Sequence, residues 1–314
     1  MAKLVINKLI ALVLILIGVS LLSFFFSSIS PVDPAEAYAR RTLSRPTAAQ
    51  VEEIRREMGL DKPFYEQYFS WAAHVLRGDF GTSLLTRTPV SAELPGKFAA
   101  TLHVVLLSML FTVLITVPLS VVSAARKNGV FDQVTRVGTI VGLSLPNFWI
   151  GFMLLVLFAV MIPVFKIADY GSFKSLVLPA LAMAIPMASS AIRVFRSNLI
   201  HSYQCDFVIY ARSRGLPERK ITGLVLQHAL PPMVTMLFQY FGYALAGSAM
   251  VEAVFSWPGI GSYLVKAIVG RDLPAINACV LLIAVLFVLV NFAAELVNLA
   301  IHPTMNASRE GYRA

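Results

Sequence analysis

The sequence predicts an all-α membrane protein with six spanning helices, and three observations predict it. Only 14% of the 314 residues are charged and 57% are hydrophobic, with a mean hydropathy of +0.74. Several apolar runs approach the ~20 residues a helix needs to cross the hydrocarbon core. Basic residues are distributed unevenly around those runs, as they are between the inner and outer loops of a polytopic protein. Backbone groups facing lipid must be satisfied within their own segment, so the runs are helices rather than open sheet. They also lack the short apolar–polar alternation of membrane-barrel strands.

Taken in order, the first span covers about 9–29. Lys3 and Lys8 precede it, and Ala35 and Ala37 offer an A-x-A cleavage site. The apolar core of a cleavable signal is about 7–15 residues, shorter than this run, so a retained helix is expected. An outer segment, 31–98, follows. Thr47-Ala-Ala-Gln50 after Pro46 is a capping-box signature, and Gly59 is placed to end the helix it opens. Phe64, Tyr68, Trp71, Ala72 and Val75 then recur at helical spacing. These aromatics suit either a lipid interface or a small core of their own. The remaining spans are expected at 99–124, 137–163, 177–195, 232–254 and 273–301. Pro118, Pro146, Pro179 and Pro186 are candidate kinks or static packing features within them. Three regions result: 1–30 with the first span, 31–98 outside, and 99–314 as a five-helix core that includes an inner loop, 205–232.

Charge fixes the orientation. With the N- and C-termini inside, the inner pieces carry Lys3, Lys8, Arg126, Lys127, Arg136, Arg193, Arg196, Arg212, Arg214, Arg219, Lys220, Arg309 and Arg313. The two short outer loops carry only Lys166, Lys174, Lys266 and Arg271, the asymmetry expected of a positive interior. The net charge of +9 and the pI of 9.7 therefore report topology, and nucleic-acid binding is an unnecessary reading.

Enzyme signatures are missing. No G-x-x-x-x-G-K-[ST] phosphate loop, G-x-S-x-G, H-E-x-x-H or metal-ligand cluster occurs, so no catalytic residue, metal site or ATP site is expected. Cys205 and Cys279 suit neither a disulfide nor zinc and are read as ordinary residues. His103 opens the second span, where it either faces a pathway or is structural. Glu252 and Glu295 lie in or near the fifth and sixth spans, and a proton-coupled secondary transporter would use one of them as carrier.

The loop 205–232 crowds Arg212, Arg214, Arg219 and Lys220 into nine residues. Ala211 and Gly215, four apart, would give a helix face with almost no side chain, and Pro217 can open the following turn. The basic count alone would equally suit an ordinary inner loop.

Several stretches together resemble the permease subunits of ATP-binding-cassette importers in the dipeptide, oligopeptide and nickel branch. Gly59-Leu60-Asp61-Lys62-Pro63, Gln67-Tyr68, Trp71 and Gly78-Asp79-Phe80-Gly81 resemble the family's outer segment. Gly142-Leu143-Ser144-Leu145-Pro146-Asn147-Phe148-Trp149 resembles its third-span signature. Phe255-Ser256-Trp257-Pro258-Gly259-Ile260-Gly261, with Glu252 before it and Arg271-Asp272 after, resembles its fifth-loop signature. Asp206-Phe207, Ala211-Arg212, Arg214-Gly215-Leu216 and Leu230-Pro231 resemble the coupling loop called the EAA motif.

The resemblance implies a type I importer fold in a bacterial inner membrane. It implies a second permease subunit, two ATPase subunits that hold ATP and Mg, and an extracytoplasmic substrate-binding protein. This chain itself would hold no cofactor. Asp206, Ala211, Arg212, Arg214, Gly215, Leu216 and Glu218 would couple to an ATPase subunit, and the basic residues would meet its acidic groups or anionic lipid heads. Pathway candidates are His103, Pro146, Trp149, Glu252 and Trp257. A compact loop 163–176, Pro146-Asn147-Phe148-Trp149 and Pro232-Met233 resemble the nickel-type members most, with dipeptide, oligopeptide or metal–opine import as alternatives. Ile209 and Tyr210 stand where the motif's name implies Glu and Ala, and His302-Pro303-Thr304 stands where Asp-Pro-Arg is common.

Overall fold

The computed structural model describes residues 2–28, 33–43, 45–166 and 170–301. The motif departure at His302-Pro303-Thr304, with Arg309 and Arg313, lies outside the described residues. In chain order the helices are α1 (Ala2–Ser28), α2 (Pro34–Thr42), α3 (Ala48–Glu57), α4 (Phe64–Leu76), α5 (Val90–Ala125) and α6 (Val130–Ser144). They continue with α7 (Asn147–Leu155), α8 (Phe173–Tyr203), α9 (Asp206–Ser213), α10 (Glu218–Val254), α11 (Ile260–Gly270) and α12 (Leu273–Ile301). A π-helical turn, Val156–Met161, extends α7. Two units form, one from the chain up to Thr101 with Pro258–Val288, the other from Leu102–Trp257 with the chain from Leu289.

In the first unit, local chemistry sets most boundaries. Asp33 accepts from the Ala35 N–H at 3.0 Å to cap α2, whose first residue is Pro34. Thr47 and Gln50 close the expected capping box on α3, with Thr47 N to Gln50 Oε1 at 2.9 Å. Gly59 ends that helix at φ +65°, and Leu60 N reaches Arg55 O at 2.9 Å in a Schellman closure. Helix α4 lies on α1 through rings: Phe24 sits 5.5–5.7 Å from Phe64, Tyr68 and Trp71. Tyr65 and Phe69 of the same helix stay exposed. A small core joins Val90 and Leu94 of α5, Ile260, Tyr263 and Ala267 of α11, and Ala275, Ala278 and Cys279 of α12.

The second unit is built around α8, which packs against α6, α7 and α10. Gly142 of α6 lies so close to Ser189 of α8 that an added Cβ would fall 2.2 Å from its Oγ. A side chain there would push the Ser189 hydroxyl off its 2.7 Å bond to Ile185 O. The expected third span is not one straight helix. Leu145 precedes proline and is held extended at φ −96°, ψ 131°, so α6 ends at Ser144 and α7 restarts at Asn147, bent by 103°. Pro118, Pro179 and Pro186, by contrast, are carried inside continuous helices. So are Pro231 and Pro232, and the second half of the expected loop 205–232 is therefore the opening of the 37-residue α10.

Among the described residues, four helices are long and apolar enough to cross a membrane, in α5, α8, α10 and α12, and the bent pair would make a fifth. The apolar stretch Ile10–Phe26 of α1 is shorter.

Candidate functional site

The segment between α8 and α10 has one docked face and one open face. Helix α9 starts at Asp206, whose carboxylate stands in the first turn where the helix dipole favours it. Val208 and Ala211 are buried and pack with Phe195 and Leu199 of α8 and Ile221 and Val225 of α10. Fully burying a side chain of Val's size is worth about 1.5–3 kcal/mol, so α9 is anchored rather than loosely tethered. Tyr203 Oη and Thr222 Oγ1 are 3.0 Å apart, and Ser202 Oγ lies 2.9 Å from His228 Nδ1, on whose ring Phe207 packs at 5.2 Å.

Beyond α9 the chain turns sharply. Leu216 N donates to Ala211 O at 3.2 Å and Gly215 N to Arg212 O at 2.9 Å, a Schellman closure with Gly215 at φ +71°. This corrects the expected small-residue face. Ala211 is turned into the chain's own core, and Gly215 lies past the helix end, where its left-handed backbone is the reason for glycine. Leu216 packs beneath the same core, and Pro217 caps α10. Arg212 Nε meets Glu218 Oε1 at 3.0 Å across the turn, with both side chains mostly in solvent, a pair of modest worth.

The open face carries Asp206, Ile209, Tyr210, Arg212, Arg214, Glu218, Arg219 and Lys220. Ile209 and Tyr210 are each 63% exposed, and Arg214 stacks 5.7 Å from the Tyr210 ring. An apolar pair ringed by cations suits a partner with an apolar notch and an acidic rim.

The pathway candidates fall into separate places. Pro146 and Trp149 stand at the α6–α7 break, both exposed, and Gly151 one turn further on abuts Phe255. Glu252 and Trp257 are buried and joined by a Trp257 N to Glu252 O bond of 2.7 Å, while Ser248 Oγ donates to Glu252 Oε1 at 2.9 Å. The Trp257 ring meets Tyr170 edge-on at 4.9 Å. His103 is exposed on α5 and has no described contact with these four.

Two polar centres escaped sequence reasoning. Asp132, fully buried at the start of α6, accepts from Arg196 Nη2 at 2.6 Å, from Ser123 Oγ at 2.5 Å and from Asn128 N at 2.9 Å. Asp272, also fully buried, accepts from Ser83 Oγ, from Leu84 N at 3.0 Å and from Leu85 N at 3.2 Å, pinning the outer segment to the start of α12. Arg271-Asp272 was the only visible signal for the second, and nothing in the sequence paired Asp132 with Arg196.

The family model for the "binding-protein-dependent transport system inner membrane component" matches residues 116–307, and its N-terminal companion matches 1–104. The chain is similar to the glutathione transport system permease protein GsiC of Salmonella choleraesuis (strain SC-B67), 35% identical over 311 residues, covering 97% of this chain and 99% of that one. The GsiC protein of Escherichia coli (strain K12) is 33% identical with the same coverage. Among solved structures, an inward-facing conformation of the MetNI methionine ABC transporter aligns with a TM-score of 0.55 at 19% identity, over 64% of this chain and 93% of that one. That likeness speaks for the fold.

Proposed function

This chain belongs to the binding-protein-dependent transport system inner membrane component family, the multi-pass permeases of ATP-binding-cassette importers, and from that premise we propose that it imports a small peptide. It supplies half of the translocation pathway beside a second permease subunit. Residues 206–220 face the cytoplasm and engage one of two ATPase subunits, which hold the ATP and Mg. A binding protein outside delivers the solute. The observation that supports this reading is the open face of α9: an anchored helix presents Ile209 and Tyr210 within a cationic rim, at the segment that resembles the family's coupling loop. Support for the peptide class comes from relatives named for glutathione transport.

Nickel is the second reading, favoured by Pro146-Asn147-Phe148-Trp149 and the compact loop 163–176. Deleting the chain separates the two. Uptake of labelled glutathione or dipeptide should fall while trace nickel accumulation stays unchanged. The reverse result would move the assignment to nickel. Replacing both Ile209 and Tyr210 with Asp should abolish ATPase association while leaving the permease in the membrane. Normal assembly and uptake in that variant would remove α9 from the coupling role.

A further inference from the structure

In the first unit, helix α4 has a wider apolar side than α1 covers. At 3.6 residues per turn its side chains sort into three arcs. Phe64, Tyr68 and Trp71 lie on one, around the Phe24 ring of α1. Tyr65, Phe69, Ala72 and Leu76 make a second, within about 60° of one another and centred roughly 100° round the helix from the first. Glu66, Ser70, His74 and Arg77 fill the third. On the second arc Tyr65 is 59% exposed, Phe69 68% and Leu76 88%. Apolar side chains scattered singly on a surface mean little, whereas a bare stripe beside a covered one marks an amphipathic helix whose apolar side is half buried.

Contacts with α1 say what lies against the bare stripe. Ser20 Oγ, buried, is 2.9 Å from Tyr68 Oη. Ser20 stands about 9 Å along α1 from Phe26, inside the apolar stretch Ile10–Phe26, so Tyr68 sits beside that stretch rather than beyond its end. The exposed apolar surface also runs on from one helix to the other. Phe25, exposed on α1, meets Phe64 at 6.4 Å, and Tyr68 meets the exposed Phe69 at 5.6 Å. We propose that α4 is an in-plane helix of the lipid interface, with Tyr65, Phe69 and Leu76 seated among the headgroups and upper acyl chains of the leaflet at the end of α1, and with Glu66 and Arg77 in water. In the orientation given by the basic residues this is the outer leaflet. Seated there, α4 holds the outer segment at the membrane surface. The occupant is bilayer lipid, and the surface is independent of the α9 face and of which solute is imported.

Spin labels on single cysteines test this in the assembled transporter, with Cys205 and Cys279 replaced by alanine and the complex in nanodiscs of phosphatidylethanolamine and phosphatidylglycerol. Collisions with oxygen, which concentrates in lipid, are compared with collisions with chromium oxalate, which stays in water. The oxygen-to-chromium ratio at positions 65, 69 and 76 should exceed that at 66, 70 and 77 several-fold. A ratio that stays level round the helix would place α4 in water and overturn the proposal. Labels at 65, 69 and 76 that neither reagent reaches would overturn it as well, by showing a protein surface there, such as the second permease subunit. Phe69→Trp repeats the test with a side chain of similar character and no label. The emission it adds should be quenched by acyl-brominated lipid, and that added by Glu66→Trp should not. Equal quenching of the two would again reject an interfacial α4.

Discussion

Five helices end in a left-handed residue, and three of them place glycine there. Gly59, Gly78 and Gly215 close α3, α4 and α9, whereas Ser256 and Arg271 hold the equivalent positions after α10 and α11 at φ +52° and +56°. For an L-residue with a Cβ this conformation costs roughly 1–2 kcal/mol. Gly215→Val should therefore unwind the α9 turn and cut transport severely, while Gly215→Asn, which tolerates the left-handed region, should keep most of it. Equal losses in the two variants would show that bulk at a contact matters there rather than backbone. Ser256→Gly should raise the melting temperature of the purified transporter, and a lowered one would refute the strain. The Asp132–Arg196 pair is a stronger case. Asp132→Asn removes the counter-ion of a guanidinium whose side chain is only 17% exposed, a loss of about 3–5 kcal/mol for such pairs. Adding Arg196→Met should restore most of the lost thermal stability, and no recovery would mean the pair contributes through geometry alone.

At the scale of elements, legibility followed locality. The capping box at Thr47, the stop at Gly59 and the ring stripe of α4 are written within a few residues, and all three are found. The prolines were legible as residues but not in their effect. Pro146 breaks its helix, whereas Pro118, Pro179, Pro186, Pro231 and Pro232 sit inside theirs, since an interior proline removes one hydrogen bond that the surrounding helix tolerates when the rest is packed. The two carboxylate centres stayed hidden because Asp132 meets Arg196 across 64 positions and Asp272 meets Leu84 across 188. Relieving the break is a direct test of its cause. Pro146→Ala frees Leu145 to become helical and should straighten α6 into α7, read as a longer spin-label distance between positions 134 and 153. An unchanged distance would assign the bend to packing against α8 instead.

For the whole molecule, the distribution of basic residues remains the most informative sequence signal, and it makes a topological prediction. Reporters fused near Gln67 should lie outside, and those near Gly129 and Glu218 inside. An impermeant reagent labelling a cysteine placed at residue 218 in intact cells would reject this orientation. The open face of α9 was legible as a basic cluster, but its apolar centre was not, because exposure of Ile209 and Tyr210 depends on Val208 and Ala211 turning inward. That arrangement has a mechanical meaning. Helix α10 is one rod of 37 residues, some 55 Å at the usual rise per residue, and α9 is keyed to its first turns. No slack loop lies between the two to absorb a push. A tilt imposed at Tyr210 would travel down the rod as leverage toward Glu252 and Phe255, and the Pro231–Pro232 pair, where helical hydrogen bonds are missing, is a natural fulcrum along it.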